Sequence, residues 1–414
     1  MSGLKQVGLS FFTKVALPLA VTFLLGNCTF MLEKKGSSIK DIEEEDIRQS
    51  FSDGTRTLPV MFMDIEGSGG INNKEYWKDA DIKIYTPEGH TPEYEISFKG
   101  RGNSTWSFPK KPFNVKFENT TVSLLGMPES DRWCMLANWR DRTKLRNPVA
   151  LEIARQTSME WTPQGRFVDL VVGDEWYGNY LLTERVEPDK LNLGADGFML
   201  FVDDHYDKTY RFRSKLRKYP VNIITGDIAL DAKRFAQIRK IVDDAESAVC
   251  NNAADWNQKI DIQSFCDWFL VQELVGNDEP SDPKGIYLYC RADGVLHAGP
   301  CWDYDYHTFR PGVSGLINGK ALWFDVLLTK PEFKTCLKER WAAIRPLIED
   351  YIPAYISQLQ EYIHESALLD ATIWPIKHIK NNGDEQLGFD ESVERLKLGL
   401  SERMAFLDSY CAGL

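Results

Sequence analysis

The order of local patterns along the chain limits its fold more than any single motif: strand-like segments come first, helix-like segments follow, and the two do not alternate as β-α-β units. From Leu58 to about residue 125, "LPVMFMDI", "DADIKIYTP", "EYEISFKG" and "KPFNVKFE" read as strands separated by Gly and Pro. After a helical stretch at 143–157, "RFVDLVVGDEWYGNYLLTERV" reads as two strands about the Gly173-Asp174 turn, and "DGFMLFVDD" adds another. The later half carries helical periodicity in "RFAQIRKIVDDAESAVC", "IDIQSFCDWFLVQELVG", "FKTCLKERWAAIRPLIEDYI" and "GFDESVERLKLGLSERMAFLDSYC". One hairpin, "GIYLYCRADGVLHAGPCWDYDY", interrupts it. The expectation is an α+β protein: a mainly antiparallel, β-rich lobe over 58–205 and a helix-rich lobe over 206–414 with an inserted β-hairpin. The GxG of "KGRGNSTW" has neither the third glycine nor the strand-turn-helix setting of a dinucleotide fingerprint.

The chain opens with Lys5 and Lys14 around an apolar stretch from Val15 to Leu25, then Gly26-Asn27-Cys28. That stretch falls short of the roughly 20 residues a membrane-crossing helix needs. It reads as a signal peptide over 1–28, and its end resembles a bacterial lipoprotein cleavage site with Cys28 as the lipidated residue. The expectation is an exported protein, lipid-anchored in the bacterial cell envelope at the periplasm or cell surface. Residues 29–57, polar with sparse apolar positions, read as a tether. The net charge of -12 and the lack of a basic stripe exclude nucleic acid as a non-specific partner.

Seven further cysteines, at 134, 250, 266, 290, 301, 336 and 411, lack the spacing of a zinc site or a dense disulfide framework. In the hairpin, a turn at Ala292-Asp293-Gly294 sets Cys290 opposite a residue near Leu296, so no Cys290–Cys301 bridge is expected.

Several segments have the residues for chemistry. "SFKGRGNSTWSFPKKPFNVKF" combines glycines, hydroxyls and Lys99, Arg101 and Lys116, a composition suited to phosphate or to a solvated basic hairpin. "MLANWRDRTKLRN" suits anion binding at a helix start or a salt-bridge and capping cluster. Glu184 stands among apolar strand residues, a position for a lysine's partner, a metal ligand or plain solvent exposure. Asn277, Asp278 and Glu279 follow a helix and enter a loop punctuated by two prolines. In "WDYDY", an extended backbone puts Asp303 and Asp305 on one face at roughly 6.5–7 Å, within reach of one Mg2+.

Taken in order, "KGRGNSTWSFPKKPFNVKF", "LLGMPESDRWCMLANWRDRTKLRN", "VDLVVGDEWYGNYLLTERV", "DGFMLFVDD" and "FLVQELVGNDEPSDPKGIYLYCRADGVLHAGPCWDYD" resemble the CotH kinase family of atypical protein kinases across residues 98–305. The resemblance implies a kinase-like fold that binds ATP with Mg2+ or Mn2+ and transfers phosphate to a protein acceptor. It implies Asp303 as metal ligand with Asp305 beside it, Lys116 as a phosphate contact, and Arg101 and Asn103 as parts of the glycine-containing loop. Glu184 becomes a lysine partner, and the loop at Asn277 supplies a base-like carboxylate. There the chain departs from the family's Asn-x-Asp: it reads Asn277-Asp278-Glu279, with Glu279 best placed and one methylene longer. A displacement of about 1 Å can lower a rate by roughly 100-fold. Two other readings compete: a non-catalytic envelope protein binding glycan or protein, and a glycoside hydrolase using two of Asp303, Asp305 and Glu279.

Overall fold

The computed structural model describes residues 39–67, 70–225, 229–376 and 383–414. The export signal and Cys28 lie outside the described residues.

A short helix, α1 (Glu44–Ser52), precedes β1 (Val60–Ile65), β2 (Lys78–Thr86), β3 (Gly89–His90), β4 (Tyr94–Gly100), β5 (Phe113–Lys116) and β6 (Arg132–Leu136). Helix α2 (Arg146–Arg155) separates these from β7 (Gly165–Val172) and β8 (Glu175–Glu184). The strands run in the order β1-β7-β8-β6-β5-β4-β2, and β2 pairs back onto β1, so seven strands close into a barrel with β3 as an appendage. All neighbours in the ring are antiparallel except β1 and β7. Closure removes the exposed edges of an open sheet.

Alternation fills the barrel with Met61, Met63, Ile82, Ile84, Phe98, Phe113, Val115, Trp133 and Leu182. The opposite face of β1 is also buried: Val60 and Phe62 pack with Ile47 of α1, Tyr85, Trp176 and Trp374. This double burial explains why "LPVMFM" is continuously apolar. It also corrects the reading of 29–57 as a tether over its described part. The Ile42 N–H donates to the Asp174 carbonyl and the Trp176 N–H to that of Ile39, so the packed body starts by Ile39. Only a few apolar residues, Ile39, Ile42, Ile47 and Phe51, make this contact, and composition hides them.

The second sheet comprises β9 (Phe198–Val202), β10 (Arg211–Arg213), β11 (Pro220–Ile224), β12 (Ile286–Cys290) and β13 (Leu296–Ala298), ordered β10-β11-β9-β12-β13 and antiparallel throughout. The hairpin of the helical half therefore extends a sheet begun by β9, and β10 and β11, absent from the sequence reading, complete it. Cys290 pairs with Leu296 as expected, and the seven described cysteines are free thiols.

Around this sheet lie α3 (Ala232–Cys250), α4 (Ile262–Val275), α5 (Phe324–Leu327), α6 (Pro331–Ile373) and α7 (Phe389–Ala412). Helix α4 is buried from Phe265 to Val275, as its all-round apolarity requires. Its two acids are paired: Asp267 with Arg340 of α6 at 2.7 Å, and Glu273 with Arg403 of α7 at 2.8 Å. Helix α6, 43 residues and about 65 Å long, returns to the barrel. There Asp370 accepts from Lys110 and from the Asn179 N–H and pairs with Lys144 at 2.8 Å. Gly178, at φ +88°, leaves room for this carboxylate, which a Cβ would strike. Among the described residues no helix is long and apolar enough to cross a membrane.

Candidate active site

A cleft of about 890 Å3 opens between the barrel and the second sheet. This volume lies within the range of small-ligand sites. Its barrel wall is basic: Lys99 at the end of β4, Arg101 in the following loop, Arg132 on β6, Arg140, and Arg185 just after β8. Its other wall carries Asp203 after β9, Glu279 after α4, and Asp303 and Asp305 after β13, beside Lys208 and Lys284.

The loop after β4 is shaped by packing. Trp106 lies against Gly100 so closely that a Cβ there would overlap its ring. The Gly100 and Arg101 N–H groups donate to the Asn73 and Pro112 carbonyls, so these two amides are engaged within the loop and are not phosphate donors. From this loop Arg101, Gly102, Asn103, Ser104 and Thr105 line the cleft. The Arg101 guanidinium lies 5.5 Å from the centre of the Trp302 ring on the opposite wall.

Asp303 and Asp305 do share a wall, but not by strand alternation. Strand β13 ends at Ala298, and Asp303 has φ +70°, in the left-handed region. The two carboxylates are set instead by Tyr304 between them, which is fully buried. Its N–H donates to Asn147 Oδ1 at 2.8 Å, its hydroxyl accepts from Gln272 Nε2 at 2.8 Å, and its carbonyl accepts from Thr308 Oγ1 at 2.5 Å. Three anchors on one residue hold its two neighbours toward the cleft.

The acids are crowded. Burial pushes Glu279 up to about 8, with Asp303 and Asp305 adding to the rise. Burial pushes Asp305 up to about 7, with Asp303 next in effect. Asp303 is also raised, first by its low-dielectric surroundings; Arg101 opposes the rise and Asp203 adds to it. Asp203 accepts from the Gly285 N–H at 3.1 Å and contacts His205 Nδ1 at 2.6 Å, and Asp203, Asp204 and His205 offer donor atoms within 4.8 Å of one another. Carboxyl groups raised by burial, and further by one another's charge, fit a hard divalent cation. Opposite them, burial lowers Lys99, and the cations of Arg185, Lys208, Lys116 and Arg132 lower it further, as expected of a wall that attracts anions.

The cleft gathers Arg101, Asn103, Glu279, Asp303 and Asp305 from the sequence-derived set and leaves out four. Lys116 pairs with Glu118 at 2.6 Å and stacks over Trp77; on its strand the cleft-facing residue is Asn114. Glu184 is buried, accepts from the Gln164 N–H at 2.9 Å and lies 3.6 Å from Lys190, so its lysine partner is outside the cleft. Asn277 is a buried turn residue whose side chain donates to Gln272 and accepts from the Glu279 N–H. Asp278 pairs with Arg310 at 2.7 Å and His307 at 3.2 Å, away from the cleft.

Arg132, Arg185 and Asp203 also line the cleft, and no motif marks them individually in the sequence. Arg185 follows Glu184 on a strand buried on both faces, where alternation gives no sign of which neighbour faces a ligand. Asp203 lay in a segment already singled out, "DGFMLFVDD", whose acidic end after an apolar strand was the available signal. "NWRDRTKLRN" is mainly scaffold. Asp141 accepts from the Thr143 and Arg146 N–H groups, Arg146 pairs with Asp384 at 2.9 Å, and Asn138, Arg140 and Asn147 reach the cleft.

Residues 98–407 match the family model described as CotH kinase protein. A search of curated proteins returns no match.

Proposed function

The chain belongs to the CotH kinase family, and from that premise we propose that its cleft binds a nucleoside triphosphate, ATP in the family reading, with Mg2+ or Mn2+ and passes a phosphoryl group to a protein hydroxyl. The observation that carries this reading is a single cleft in which Asp303, Asp305 and Glu279 face Lys99, Arg101 and Arg185. Phosphoryl transfer relies on positioning and on charge stabilisation, with little covalent chemistry for side chains to perform. The barrel would act as the phosphate-gripping lobe of a kinase-like arrangement, and the second sheet with α4 to α7 as the lobe carrying the carboxylates.

Asp303 and Asp305 would hold the cation, with Asp203 alongside. When bound, the cation supplies positive charge to the phosphate oxygens. Lys99, Arg101 and Arg185 would orient the phosphates, Arg through its planar fork and Lys as a point charge. Glu279 is the carboxylate that reaches the cleft from the loop after α4. Burial and the charges of Asp303 and Asp305 raise its pKa; a cation held by those two would lower it toward the ionised form that a general base for an acceptor hydroxyl needs.

A second reading, binding without transfer, draws support from Asp278, which Arg310 and His307 hold away from the cleft. Thermal shift with ATP, with and without Mg2+ or Mn2+, separates the readings when combined with transfer of labelled γ-phosphate. The first expects a metal-dependent rise in melting temperature and incorporation into protein, both lost in Asp303→Asn. A shift without incorporation selects binding alone, and no metal-dependent shift at millimolar nucleotide defeats both. Export and lipid attachment at Cys28 belong to the same proposal, supported by the sequence; labelling with a fatty-acid analogue that persists in Cys28→Ser would count against them.

A further inference from the structure

The packing of α4 against α6 brings together two cysteines that the cleft does not use. Cys266, in the second turn of α4, is fully buried, and Cys336, in the second turn of α6, is half-buried. The Cys266 thiol reaches the Phe333 carbonyl at 3.8 Å. Phe333 lies three residues before Cys336, and a helical side chain leans back over the turn that precedes it, so Cys336 covers the same spot. The two thiols accordingly lie close enough across the helix interface for each to shift the other's protonation.

We propose that Cys266 and Cys336 are an oxidisable pair, which closes to a disulfide between α4 and α6 when the protein meets an external disulfide. The half-buried Cys336 is the entry point. The neighbouring Cys266 thiol holds that of Cys336 below the usual range, whereas burial pushes Cys266 upward. The Cys336 thiolate attacks one sulfur of the external disulfide, whose S–S bond breaks and releases one thiolate. Cys266, on losing its proton, attacks the Cys336 sulfur in the resulting mixed disulfide and releases the second thiolate. Two cysteine thiols become one disulfide, the reagent becomes two thiols, and the two protons pass to the departing sulfurs.

The bond would close a loop of about 70 residues and tie together two helices that serve the cleft. Helix α4 carries Gln272, which holds Tyr304, and α6 carries Asp370, which enters the barrel network. This inference is independent of nucleotide binding.

The test uses the full chain equilibrated with oxidised glutathione, denatured and alkylated, then analysed by intact mass and peptide mapping. The expected result is two thiols protected from alkylation and one linked peptide pair joining Cys266 to Cys336. Oxidised protein should melt about 5 °C above reduced protein. In Cys336→Ser, Cys266 should be alkylated and the redox-dependent shift lost; in Cys266→Ala, a glutathione adduct should remain on Cys336. Full alkylation of the oxidised wild type, a bridge between other cysteines, or a lasting glutathione adduct on wild-type Cys336 would overturn the proposal, and all three are read without any variant.

Discussion

Asp303 illustrates how much a single backbone angle decides. Its left-handed φ of +70° breaks the alternation that an extended "WDYDY" would follow, yet the carboxylate still meets Asp305 and Glu279 in the cleft. Such a conformation is unfavourable for most residues and tolerated by Asp and Asn, as expected where surrounding structure holds a functional group in place. The raised carboxyl groups have a consequence for stability. Glu279 at about 8 and Asp305 at about 7 stand above the value of about 4 for an unfolded chain, so between those limits the folded protein binds more protons. Their contribution is full below pH 4 and is lost as pH rises through 7 to 8. In chelator, the melting temperature should therefore fall from pH 5 to pH 8 through these groups, and Asp305→Asn should flatten the slope. A slope unchanged in that variant would contradict the crowding described here.

At the scale of elements, the acidic loop is a short irregular segment hung between three regular ones. Asn147 at the start of α2 holds the Tyr304 N–H, Gln272 near the end of α4 holds its hydroxyl, and β13 delivers the chain to it. Asn147 bears no charge and acts on the aspartates through this backbone contact. Asn147→Ala leaves a buried N–H without its acceptor, a loss of about 1–3 kcal/mol by denaturant unfolding. It should also weaken Mn2+ binding, measured by titration, while an equally destabilising substitution far from the loop should not. Helix α4 is anchored from the far side by Glu273, which accepts from the Ile317 N–H at 3.0 Å and pairs with Arg403. Replacing Arg403 with Met strands that buried carboxylate, and unfolding experiments should show a loss of about 3–5 kcal/mol.

For the whole molecule, the barrel and the helical half meet at a buried charge network as well as through apolar packing. Asp370 of α6, Lys110 and Lys144 join there, with the Asn179 backbone as a further donor. Burial outweighs the nearby carboxylates at Lys110 and holds it at about 8, whereas Asp370, despite its own burial, is held low by the two lysines. Gly178→Ala puts a methyl group into this junction at a φ unfavourable for alanine. The expected destabilisation is about 2–4 kcal/mol, with proteolysis reporting whether α6 detaches from the barrel. A variant as stable as the parent would show that Asp370 has room to move aside.

The α+β class, the early strands, the late helices and the acidic pair were legible in the sequence because each depends on local periodicity or on a compact run of residue types. So was the pairing of Cys290 with Leu296, which the hairpin turn sets. Closure of the barrel was not legible, since β1 meets β7 through contacts between distant parts of the chain that leave no local pattern. The same holds for β10 and β11, short strands recruited by β9. Around the cleft, the motifs named segments that line it but not always the residues that do: Arg185 lines it and Glu184 does not, and Lys99 lines it and Lys116 does not. Residue type and spacing were decided locally, by the chemistry of the chain. Which neighbour turns toward the cleft was decided only when two sheets and the helices packed, because burial on both faces of a strand erases the alternation that would have told them apart.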